Sequence, residues 1–170
     1  MRKIAFLTLL TFTLFSCEQA AEQSEFQVGM VEMNDAKSNA MIAFNDAYLA
    51  GDFAGQLDIF SDTAKAYING QLTTPEAMME AFLEGRTHYT DIKNLNRATT
   101  TTTYDNGRVF SNYWFVWEGV SKSTGKTVTT PAHGYFTWQG DQVVQVGYIF
   151  DSVDYVGNMG NSDESEAEQL

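Results

Sequence analysis

Residues 105–150 read DNGRVFSNYWFVWEGVSKSTGKTVTTPAHGYFTWQGDQVVQVGYIF, and this stretch decides the fold. Three turn signals punctuate it: Asp105-Asn106-Gly107, Ser123-Thr124-Gly125 and Gln139-Gly140-Asp141. Glycine-bearing turns supply the positive φ of tight hairpins, and the runs between them are rich in β-branched and aromatic residues. The turns separate four strands, Ile92 to Tyr104, Val109 to Val120, Thr127 to Trp138 and Val143 to Phe150. The first of these carries five consecutive threonines, Thr99 to Thr103. Short connections force neighbouring strands to run antiparallel, so the sequence predicts a four-stranded meander.

Upstream, the period changes from two to 3.6. Ala40, Phe44, Ala47 and Tyr48 recur at helical spacing, with Gly51 as the C-terminal stop. Asp52 is expected to start a second short helix with Phe53, Leu57 and Phe60 on one face, followed by a brief strand from Ala64 to Ile68. Thr74-Pro75-Glu76 is a helix start in which a hydroxyl caps, proline takes the first helical position and an acid meets the positive dipole end. That third helix buries Met78, Phe82 and Leu83 and ends near Gly85. Helices followed by a meander make an α+β domain, about three N-terminal helices packed on a bent, mostly antiparallel sheet.

A hydrophobic content of 44% and an aromatic content of 14% suffice for a packed core. The formal charge of −12 leaves no basic cluster to neutralise phosphates, which argues against nucleic acid as a partner. No Cys/His spacing suits zinc and no glycine-rich phosphate loop occurs, so neither metal nor cofactor is expected.

At the amino terminus, Arg2 and Lys3 precede an apolar run from Ile4 to Phe15, too short for a membrane span and right for a secretory signal. It ends in Leu14-Phe15-Ser16-Cys17, and Cys17 is the only cysteine. That ending resembles the lipobox of bacterial lipoproteins, which implies acylation of Cys17 and attachment to a membrane of the bacterial cell envelope. The leaflet stays open. The expected organisation is a signal peptide over 1–16, a flexible linker over 17–34, a folded domain over 35–157 and an acidic solvated tail over 158–170.

The order of helices, short strand, helix and four long strands resembles the NTF2-like superfamily, with its SnoaL-like and ketosteroid-isomerase-like branches. Ala50-Gly51-Asp52-Phe53, Phe60-Ser61-Asp62-Thr63-Ala64, Trp138-Gln139-Gly140-Asp141 and Tyr148-Ile149-Phe150-Asp151 carry the likeness. It implies a cone in which a bent sheet wraps the first helix and leaves a pocket at one end. It also implies a homodimer through the outer sheet face. Large aromatics on both faces of the Val109–Val120 strand support such a dimer, because a solvated face should be polar.

The isomerase chemistry is not matched. Aligned on Ala50-Gly51-Asp52, the first-helix tyrosine of that branch falls on Phe44, its base on Ile68 or a neighbour, Tyr67 or Asn69, and its acid donor on His133. The dehydratase branch fits in part: its first-helix tyrosine falls on Tyr48, and His88 lies in a segment resembling one that holds a histidine. The catalytic candidates are therefore His133 as general base, with Tyr48. The ligand-pocket candidates are Phe44, Tyr48, Tyr67, Tyr113, Trp117, His133 and Tyr135, unless the strand face of Asn112 and Glu118 points inward instead. Rings with few polar tips suit a small, partly apolar ligand. The sequence thus points to an anchored binding module for such a ligand or for a protein partner, or else to an envelope lyase or isomerase using a pocket histidine.

Overall fold

The computed structural model describes residues 28–160. Cys17, the signal peptide, most of the linker and the acidic stretch after Gly160 lie outside the described residues. The elements are β1 (Gly29–Glu32), α1 (Ala36–Ala50), β2 (Phe60–Ile68), β3 (Gln71–Thr73), α2 (Pro75–Arg86), β4 (Tyr89–Tyr104), β5 (Val109–Ser121), β6 (Thr127–Gln139), β7 (Gln142–Phe150) and α3 (Val153–Gly157). One sheet holds all seven strands in the order β1-β4-β5-β6-β7-β2-β3. The meander β4 to β7 is antiparallel as expected, while β2 joins β7 in parallel.

Local chemistry sets the helix ends. Asp35 caps α1, its carboxylate accepting from the amides of Lys37 at 2.8 Å and Ser38 at 3.1 Å. Gly51 ends α1 at φ 73°, a left-handed conformation open to glycine without steric cost. Thr74 caps α2 through the Ala77 amide, with Pro75 in the first turn.

Four departures from the sequence reading have physical reasons. The expected second helix is a single 3₁₀ turn, Gln56–Ile59, because Phe60 already belongs to β2 and is buried in the core as a strand residue. Part of the linker, Gly29–Glu32, pairs with Thr101–Tyr104 as an edge strand. A further short helix, α3, follows the last strand, where the sequence reading placed none. Finally, Asn158 to Gly160 does not begin a solvated tail: the Asn158 carbonyl accepts from the Ser121 hydroxyl at 2.6 Å.

The long strand β4 carries two register shifts, between Thr90 and Lys93 and between Leu95 and Ala98, where Asp91 and Asn96 adopt φ of 53° and 52°. Such bulges bend a strand and increase its twist. The inner face of the curved sheet receives α1 and α2. Phe44 is its centre, fully buried, with ring centroids of Phe53 at 4.9 Å, Phe136 at 5.4 Å and Phe60 at 5.9 Å.

A buried polar chain fixes α1 to the sheet. A carboxylate can only accept, so Asp35 orders the protons: Ser38 and Thr101 hydroxyls donate to it at 2.6 and 3.0 Å. Ser111 then donates to Thr101 at 3.0 Å, and the Trp138 indole donates to Ser111 at 2.8 Å.

Candidate functional site

Strand parity decides which residues meet inside. On β5 the buried face carries Ser111, Tyr113, Phe115 and Trp117, and on β6 it carries Val128, Thr130, Ala132, Gly134 and Phe136. Between these faces and the helices lies a cavity of about 50 Å³. Phe44, Asn45 and Tyr48 enter from α1, Phe82 from α2, and Phe115 and Trp117 from β5. Thr130 and Ala132 of β6, Tyr148 and Phe150 of β7, and Tyr155 of α3 complete the wall.

Its polar groups are few and mostly engaged. Asn45 donates to the Met41 carbonyl at 2.8 Å and accepts from the Tyr148 hydroxyl at 3.2 Å. Thr130 donates to the Asp151 carbonyl at 2.9 Å. The Tyr48 hydroxyl accepts the Trp117 indole N–H at 2.8 Å, which leaves its own proton to offer a ligand oxygen. Burial pushes the phenols of Tyr48, Tyr148 and Tyr155 above their usual value, so all three stay protonated at neutral pH. The wall contains neither carboxylate nor imidazole. What it can do is exclude water, pack rings and offer the Tyr48 hydroxyl to a ligand.

Of the residues singled out from the sequence, Phe44, Tyr48 and Trp117 line this cavity together. Tyr113 faces the same side but is buried beside it, 1% exposed, its ring 5.1 Å from Phe115. His133, Tyr135 and Tyr67 do not reach the cavity. Alternation along β6 turns His133 and Tyr135 to the outer face, where Tyr135 and Tyr67 border an open depression of about 190 Å³ with Gly147 and Ile149. The His133 ring stacks on Trp114 at 5.2 Å and 12°, and its Nε2 donates to Asn112 Oδ1 at 3.1 Å. A catalytic pair of His133 with Tyr48 is therefore not assembled, because the sheet stands between them. His88 is likewise structural, its Nδ1 donating to the Met159 carbonyl at 2.9 Å.

Among the lining residues that the sequence reading missed are Asn45, Phe82, Thr130, Tyr148, Phe150 and Tyr155. Parity along the last strands would have found Thr130 and Phe150 once the buried face was known. Tyr155 carried no signal, since it stands at the edge of an acidic tail.

No protein-family model matches the sequence, and no curated protein does so significantly. Solved structures do match. A candidate polyketide cyclase from Xanthomonas campestris pv. campestris superposes with a TM-score of 0.55 at 19% identity, over 73% of this chain and 96% of that one. An NTF2-like protein from Burkholderia xenovorans LB400 superposes with a TM-score of 0.52 at 16% identity, over 72% and 94%. The chain has the NTF2-like fold. A second candidate polyketide cyclase, from Streptomyces antibioticus, agrees with a TM-score of 0.58 at 14% identity, over 75% of this chain and 100% of that one. The NTF2-like match spans nearly all of the described residues.

Proposed function

We propose that this chain is an exported, lipid-anchored NTF2-like domain of the SnoaL-like type that binds a small, partly apolar ligand in its cone. The observation that carries this reading is the composition of the inner cavity: a wall mostly of aromatic rings, few polar groups, and neither carboxylate nor imidazole. Such a wall favours holding a molecule over transforming it. The lyase or isomerase alternative needed an imidazole inside, and His133 stacks on Trp114 outside. A screen of the purified protein against small apolar molecules with one polar end is expected to raise the thermal midpoint for some of them. No shift across the panel would refute the ligand.

The anchor rests on the sequence around Cys17, and two acyl chains would make attachment stable. Labelling growing cells with a radioactive fatty acid should mark the parent chain and leave Cys17→Ser unmarked. The outer sheet face supports a homodimer, because Trp114 is 42% exposed, Ile149 56% and Leu72 64%. A second copy would cover that surface about a twofold axis.

A further inference from the structure

The cavity is too small for a ring-bearing ligand, and the group that makes it so is Tyr155. At about 50 Å³ it falls well short of the roughly 150 Å³ in which an engineered apolar cavity holds benzene. The Tyr155 ring already occupies an aromatic cage. It stacks on Tyr89 at 5.3 Å and 11°, and stands edge-on to Trp117 at 5.1 Å and to Phe150 at 5.9 Å.

The segment that delivers this ring is short and lightly held. Its helix α3 has five residues, and its other large apolar side chains, Val153 and Val156, are exposed. Apart from the Tyr155 ring and Met159, contacts to the body are polar. Tyr89 donates to the Tyr155 carbonyl, Ser121 and Ser123 donate to the Asn158 carbonyl, His88 donates to the Met159 carbonyl, and an exposed Lys126–Asp154 pair spans 3.5 Å. Carbonyls released from such bonds find water instead.

Gly85 provides a second, independent observation. It is buried in the last turn of α2, where a Cβ would collide with the Tyr155 hydroxyl and come within 3.6 Å of Met159 Cε. Glycine weakens a helix relative to alanine, so its place here suits the close approach of the tyrosine.

We propose that Tyr155 is a built-in plug and that residues 151–160 form a lid, so that the ligand enters by displacing the tyrosine ring with a flat ring of its own. This rests on the reading of the cavity as a ligand site. A flat ring is required because the resident one lies face to face with Tyr89 and perpendicular to Trp117 and Phe150. A phenol-like ring is the class selected, because the resident occupant is one. The plug lowers apparent affinity by the fraction of molecules that are open, and removing it restores the intrinsic value.

The test uses the purified full chain, its Tyr155→Ala variant and its Gly85→Ala variant, titrated calorimetrically with 2-naphthol and 4-methylphenol. Gly85→Ala keeps the tyrosine but denies it its seat, so it carries the test alone if Tyr155→Ala does not fold. Both variants are expected to bind 2-naphthol about tenfold or more tightly than the parent. Saturation of the parent should speed amide exchange over 151–160 while the strands stay protected. Equal affinities, slower exchange over 151–160 in the complex, or no binding by any of the three proteins would overturn the proposal. The broader reading survives that failure if another molecule of the screening panel binds, and falls with it if none does.

Discussion

Trp117 on β5 donates its indole N–H to the hydroxyl of Tyr48 on α1 across 2.8 Å, at the cavity wall. The bond ties the first helix to the inner face of the sheet beside the cavity. Tyr48→Phe removes the recorded acceptor of the indole N–H, which should cost about 1–3 kcal/mol. Trp117→Phe should also destabilise, and the double variant should cost less than the sum of the two. Urea unfolding of the four proteins measures this coupling.

The Asp35 chain makes stability depend on acid. Burial alone would raise the Asp35 carboxyl, but the Ser38 hydroxyl and amide, the Thr101 hydroxyl and the Lys37 amide outweigh it, and the net shift is downward. A carboxyl depressed in the folded state contributes stability that is present above its unfolded value, about 3.9, and is lost as pH falls through the folded one. Asp35→Ala should therefore cost about 0.5–2 kcal/mol near neutral pH, where it also removes the helix cap, and less at a pH of about 3. Denaturation at the two pH values checks the narrowing gap.

His133 should affect stability in the same direction. Burial lowers its pKa, so the unfolded chain binds the proton more readily and stability declines as pH falls below about 6.5. Thermal midpoints of His133→Gln are expected to fall less between about pH 7 and pH 5 than those of the parent. Ligand binding in the inner cavity should be unchanged by the same substitution.

On the outer face, Trp114→Glu places a charge where a second copy would pack. Central tryptophans often contribute about 2 kcal/mol or more to an interface, so the dimer should weaken about thirtyfold or more. Light scattering over a concentration series would show the variant as a monomer where the parent is a dimer. A monomeric parent would remove the dimer from the account.

Where local chemistry governs, the fold was legible. Gly51, Thr74-Pro75 and the three hairpin turns fixed their elements, because each answers a backbone demand within a few residues. The short segment after Gly51 was not, since Phe53, Leu57 and Phe60 share a helical spacing that strand pairing of Phe60 overrides. The inner face of β5 was visible as an alternation, Tyr113-Phe115-Trp117, but both faces bore rings and neither declared itself. That ambiguity also misplaced His133 and Tyr135, whose parity on β6 follows from register with β5: His133 sits opposite Trp114 and Tyr135 opposite Asn112, both outward. Tyr155 was illegible because its importance comes from Gly85 and Tyr89, brought beside it only by the folded chain.

The central claim is that ligand binds between the helices and the inner sheet face. Ala132 and His133 are adjacent on β6 and point to opposite sides, so a matched pair of variants tests it most directly. With any molecule that shifts the parent, equilibrium titration of Ala132→Leu should show binding lost, because added bulk fills the cavity. His133→Gln should bind as the parent does. Binding kept in Ala132→Leu and lost in His133→Gln would place the ligand on the outer face and contradict the account.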